Sequence, residues 1–165
     1  MVNRLLAAII ACGCLVASPG PSFAAQPAGT HQDLGLSPDL LELLRAEMRE
    51  IAAGVQGMAL SVATANWQAI RATSEQIRAS YIMEKKLKPD QAEELARALP
   101  AQFKLLDAQF HQRAEKLAAA AQARDPELVV FHYSRLVESC VACHASFAAT
   151  RFTGFAAPDP QVHHH

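Results

Sequence analysis

Apolar residues return every three or four positions through most of the chain, the period of one face of an α-helix. Leu40, Leu41, Leu44, Met48, Ile51, Val55 and Met58 mark a first helix over residues 38–63, with Met48 mid-helix and facing the core. Ser37-Pro38 starts it, serine as the cap and proline at the first helical position. Gly54 and Gly57 fall inside that helix, where each costs about 1 kcal/mol against alanine. They point to close approach by another surface, either a helix or a flat ring. Thr64-Ala65-Asn66 is the turn, and Asn66 caps a second helix carrying Trp67, Ile70, Ile77 and Ile82 to about residue 83.

Pro89-Asp90 opens a short helical connector to about residue 99, read as packing loosely over the bundle end. Pro100 restarts the chain, and Phe103, Leu106, Phe110, Ala114 and Leu117 form the stripe of a third helix to residue 123. Asp125-Pro126 caps a fourth helix with a broad apolar face: Val129, Val130, Tyr133, Leu136, Val137, Cys140, Cys143, His144 and Phe147. There is no strand candidate of useful length and no internal repeat. Four amphipathic helices with short joints predict an all-α fold, an antiparallel up-down-up-down four-helix bundle.

Composition agrees with helix. The 165 residues are 51% hydrophobic, rich in alanine and poor in aromatic and β-branched side chains. A formal net charge of −1 argues against a nucleic-acid partner, which usually demands a basic excess. Arg4, the apolar run from Leu5 to Ala17, the breaker Ser18-Pro19-Gly20-Pro21 and the small residues of Ser22-Phe23-Ala24 make residues 1–25 a secretory signal peptide. The run is too short for a stable membrane anchor. Ile9-Ile10-Ala11-Cys12 also resembles a lipoprotein box, but the apolar stretch before Cys12 is short and continues past it. Residues 26–36 follow as a flexible lead-in, 37–152 as the bundle domain and 153–165 as a C-terminal tail, whose closing histidines are given no ligand role. A periplasmic location follows from export.

Removing the leader takes Cys12 and Cys14 and leaves Cys140-Val141-Ala142-Cys143-His144. C-x-x-C-H is the attachment signature of a c-type haem. On a helix the two cysteines stand one turn apart on one side, so both thiols reach vinyl groups on one porphyrin edge. His144, four residues after Cys140, shares that face and can ligate the iron. One covalent haem c is the cofactor expected. A thioredoxin-like reading of C-x-x-C needs a βαβ pattern, and a zinc site needs further ligands nearby; the sequence offers neither.

A C-x-x-C-H on the last helix of a four-helix chain resembles the cytochrome c′ family. The likeness spans roughly residues 36–152, through Cys140-x-x-Cys143-His144-x-x-Phe147, Leu44-Arg45-x-x-Met48 and Asn66-Trp67. It implies Met48 as the distal residue and sixth ligand, and Arg45 as the partner of a haem propionate. Members usually carry a basic residue four after the haem histidine; this chain has Ala148. The family includes Met-ligated low-spin members and high-spin members with an open distal face, and its frequent dimers through the first two helices allow a homodimer here.

Other residues read more plainly. Met58 and Met83 are core or loop; His111 and His132, among polar neighbours, are surface or hydrogen-bonded core. Phe103, Phe110, Tyr133 and Phe147 serve equally as bundle core or porphyrin lining. Lys85, Lys86 and Lys88 form a solvated patch able to dock an acidic redox partner. The reading is a non-enzymatic periplasmic electron carrier with redox partner proteins. Its alternative is a nitric oxide- or carbon monoxide-binding cytochrome with an open or displaceable distal site. No distal His-Arg pair supports peroxidase chemistry.

Overall fold

The computed structural model describes residues 34–155. The expected leader, most of the lead-in and the tail beyond residue 155 lie outside the described residues. Helices α1 (Pro38–Ala63), α2 (Trp67–Arg78), α5 (Ala101–Ala123) and α6 (Pro126–Phe147) form the bundle. Two short helices, α3 (Met83–Lys86) and α4 (Pro89–Ala98), join α2 to α5, and a 3₁₀ turn, Thr153–Phe155, follows α6. There is no strand among the described residues. Contacting positions pair in opposite directions along neighbouring helices: Gly54 with Thr73, and Phe103 with Phe147 as Arg113 with Ser139. Helices α5 and α6 therefore run antiparallel. Helix α5 is the hub, packed against α2 on one side and α6 on the other, while α1 meets α6 only sparsely.

The core is built from the expected stripes, with shifts. Met58, Ile70, Ile77, Ala114, Leu117, Ala120, Ala121, Val129 and Leu136 form one buried cluster. Alanines supply much of α5's share, and their small side chains let two helices lie close to it. Each fully buried Ile or Leu contributes roughly 2 kcal/mol or more. On α6 the buried face is narrower than its apolar content suggests. Val129, Leu136, Ser139 and Phe147 are buried, whereas Val130, Val137 and Val141 are exposed. One residue's step turns a helix by 100°, so a helix held mainly by one neighbour buries only one stripe.

Local signals placed most boundaries. Asn66 Oδ1 accepts from the Ala69 N–H at 3.2 Å, and Asp125 Oδ1 from the Leu128 N–H at 2.9 Å. At Ser37 the expected cap fails. Its N–H and hydroxyl both donate to the Glu94 carboxylate, at 2.6 and 2.9 Å. That contact, with Lys104 Nζ donating to the Ala96 carbonyl at 2.6 Å, pins α4 across the bundle end.

The second helix also stops short of residue 83. It ends at Arg78, and Ser80 turns the chain with φ of 53°. The cause is Glu47, 3% exposed on the core stripe of α1. Its carboxylate accepts the N–H groups of Tyr81, Ile82 and Met83 at 2.8, 2.6 and 3.1 Å. Three charge-assisted bonds replace the intrahelical ones that Tyr81 and Ile82 would otherwise make. Tyr81 is also why Gly54 is a glycine: a Cβ there would stand 2.5 Å from its hydroxyl oxygen. Gly57 faces open space instead.

Glu47→Ala should lower the stability of the bundle by about 2–4 kcal/mol, because three half-buried donors lose their acceptor; denaturant titration measures it. Gly57→Ala should stabilise by about 0.5–1 kcal/mol through helix propensity alone. Gly54→Ala should lose that gain by displacing Tyr81, which the same titration reads.

Candidate haem-binding site

The last two turns of α6 carry Cys140, Cys143 and His144, all partly buried. Both thiols are free, and the Cys140 thiol points at the Leu136 carbonyl, 3.7 Å away. Burial pushes both thiols up in pKa. Cys143 reaches about 11, with Asp107 and Cys140 adding to the effect of burial. Such thiols stay protonated at neutral pH, the opposite of a redox-active C-x-x-C, whose attacking sulfur is held as thiolate. Burial also pulls the His144 imidazole below its ordinary value. It is therefore a neutral ring with a nitrogen lone pair to offer a metal.

Helix α5 holds this end of α6 in place. Phe103 meets Phe147 edge to face, their centroids 5.2 Å apart, and both rings are buried. The Arg113 guanidinium donates to the Arg135 carbonyl at 2.6 Å and to the Ser139 hydroxyl at 2.7 Å, one residue before Cys140. These contacts fix the rotation of α6 and with it the direction of the motif.

Met48 does not pack into the core as expected. The core residues of α1 are Leu40, Glu47, Ile51 and Met58, and Met48 is 39% exposed. It lies one step, 100°, round from Glu47 and seven residues before Val55, on Val55's side of the helix. That side looks to α6, since the Tyr133 hydroxyl donates to the Val55 carbonyl at 3.2 Å. Arg45 is exposed beside Glu42, whose carboxyl is held low chiefly by its hydrogen bond to Arg49. Met58 is buried, and Met83 is half-buried at the start of α3.

Among the remaining candidates, Phe103 and Phe147 are buried, while Phe110 and Tyr133 pack half-buried against the core cluster. His111 is partly buried: its Nε2 lies 3.6 Å from Asp107 Oδ1, and its buried Nδ1 makes no hydrogen bond. Two residues of the site had no mark in the residue pattern. Phe152 lies beyond the end of α6, yet its ring stacks on His144 with centroids 4.6 Å apart. Asp107 sits near both Cys143 and His111. Glu47 did have a signal: a carboxylate in register with Leu40, Ile51 and Met58 on an apolar stripe. No group of three or more His, Cys, Asp or Glu is gathered for a metal ion among the described residues. Two surface clefts line α2 and the C-terminal end of α5 or the α2–α3 turn, and neither includes a residue of α6.

The family model described as Cytochrome C' matches residues 38–148, from the start of α1 to the residue after α6. The chain belongs to the cytochrome c′ family. No curated protein and no solved structure matches it. Members of the family bind haem c covalently. The donor set of this cytochrome fits that group: two unpaired thiols one turn apart and an adjacent imidazole whose pKa burial lowers. No helix among the described residues is long and apolar enough to cross a membrane.

The His111 imidazole is raised above its ordinary value, first by the Asp107 carboxylate 3.6 Å away, with smaller contributions from the Ile77 backbone and Glu47, against the opposing effect of burial. A raised folded-state pKa gives stability that is complete below the ordinary imidazole value and is lost as pH rises through the folded value. The unfolding midpoint should therefore fall as pH rises above about 6.5. His111→Gln should flatten that fall, as denaturation across this range will reveal.

Proposed function

We propose that this cytochrome is a periplasmic carrier of single electrons, exported by the leader in residues 1–25. Cys140 and Cys143 would hold haem c through two thioether bonds to its vinyl carbons. His144 and Met48 would ligate its iron. The observation that carries this reading is the grouping of two protonated, unpaired thiols with a neutral imidazole on the anchored end of α6. Haem supplies a one-electron iron couple when bound, and a His–Met donor pair raises its potential and suits electron transfer. Phe103 and Phe147 keep water from the α5 side of the motif. Exposed Lys85, Lys86 and Lys88 offer a surface to an acidic redox partner. No residue here is assigned a catalytic role.

A second reading is favoured by one observation. Met48 is not among the core residues of α1, Leu40, Glu47, Ile51 and Met58, so core packing does not hold its thioether. A thioether so placed is displaceable, and nitric oxide or carbon monoxide would take its position on the ferrous protein.

Optical absorption of the reduced protein, with and without carbon monoxide, tests both. A six-coordinate low-spin spectrum is expected, and a five-coordinate high-spin spectrum without gas would overturn Met48 ligation. Met48→Ala should produce that high-spin spectrum and speed carbon monoxide binding. Replacing Cys140 and Cys143 together by alanine should let acid acetone extract the pigment, which the wild-type protein retains.

A further inference from the structure

A histidine that binds a metal usually has its plane fixed by a hydrogen bond from its other ring nitrogen to a carboxylate or carbonyl. His144 makes no such side-chain bond among the described residues. Among the described residues its ring partner is Phe152, with centroids 4.6 Å apart and planes inclined by 27°. The chain is built to bring that ring back. After α6 the N–H groups of Arg151 and Phe152 both donate to the Ala148 carbonyl at 3.0 Å, while the Ala148 N–H caps the His144 carbonyl at 2.9 Å. This turn folds the residue eight positions beyond His144 over the imidazole face.

We propose that Phe152 is a positioning residue for His144: its stacked ring sets the plane of the imidazole, the task a hydrogen bond performs elsewhere. The proposal rests on the assignment of His144 as a haem ligand. Phe152 is 40% exposed, so it adds little to the core. What it offers is a flat surface nearly parallel to the imidazole. Rotation of the ring about its bond to the iron would tilt it against Phe152, so one orientation is kept. The orientation of an axial imidazole governs how unequally unpaired spin reaches the four haem methyl groups.

The test uses the haem-loaded ferric protein, made in a host that matures c-type cytochromes, and reads the spread of its haem-methyl proton NMR shifts. Phe152→Leu keeps apolar bulk but removes the flat face, and should narrow the spread as the imidazole samples several orientations. Phe152→Tyr keeps the face and should restore the wild-type spread. A wild-type spread in Phe152→Leu, or equal narrowing in Phe152→Tyr, overturns the proposal. A pyridine haemochrome spectrum of the wild-type protein separates the two levels of failure. Without thioether-linked haem both assignments fall; with it, unchanged shifts remove only the role of Phe152.

Discussion

One helix has to do two things at once, and the rest of the molecule follows from that constraint. Helix α6 presents two thiols and an imidazole on one side, and it must be held by another side so firmly that the first cannot rotate away. At 100° per residue the two sides are only one or two positions apart in the sequence. Ser139, bound to Arg113, immediately precedes Cys140, and Phe147, packed on Phe103, follows His144 by three. Leu136, fully buried, lies one turn before Cys140. The anchoring contacts thus alternate with the presenting ones, and nearly all of them come from α5.

The opposite flank is looser, and that too has a cause. Helix α1 is tied to α2 and to the α2–α3 turn through Glu47, and to α4 through Ser37 and Glu94. Its main link to α6 is a single hydrogen bond from Tyr133 to a backbone carbonyl. A helix secured on one edge leaves Met48 exposed on its other edge. Strong polar anchoring at the bundle end and sparse contact along the α1–α6 edge are two sides of one arrangement. A buried carboxylate is costly to desolvate, and here three backbone donors offset that cost.

Much of the architecture was readable because its determinants are local. Proline at the first turn, asparagine and aspartate at N-caps and a helical apolar period act within four or five residues, so 38–63 and the starts at Trp67 and Pro126 needed no fold to be recognised. The C-x-x-C-H spacing is local in the same sense: on any helix it places three groups on one face. Where a side chain from a distant segment intervened, local rules failed. The second helix stopped at Arg78 because Glu47, more than thirty residues earlier, competes for its backbone donors. Ser37 makes no side-chain cap because its hydroxyl is turned to donate to the carboxylate of Glu94, a residue far along the chain.

By itself, then, the chain's order of residues determined the helix starts, the all-α class and the grouping of Cys140, Cys143 and His144, since each depends only on spacing along a helix. Tertiary structure alone decided which stripe of each helix was buried, that Met48 lies on an exposed flank rather than in the core, and that Phe152 returns to cover His144. Those outcomes depend on which neighbour a helix packs against and how a turn directs the chain, and burial is a property of the assembled surfaces. No periodicity within one segment encodes it.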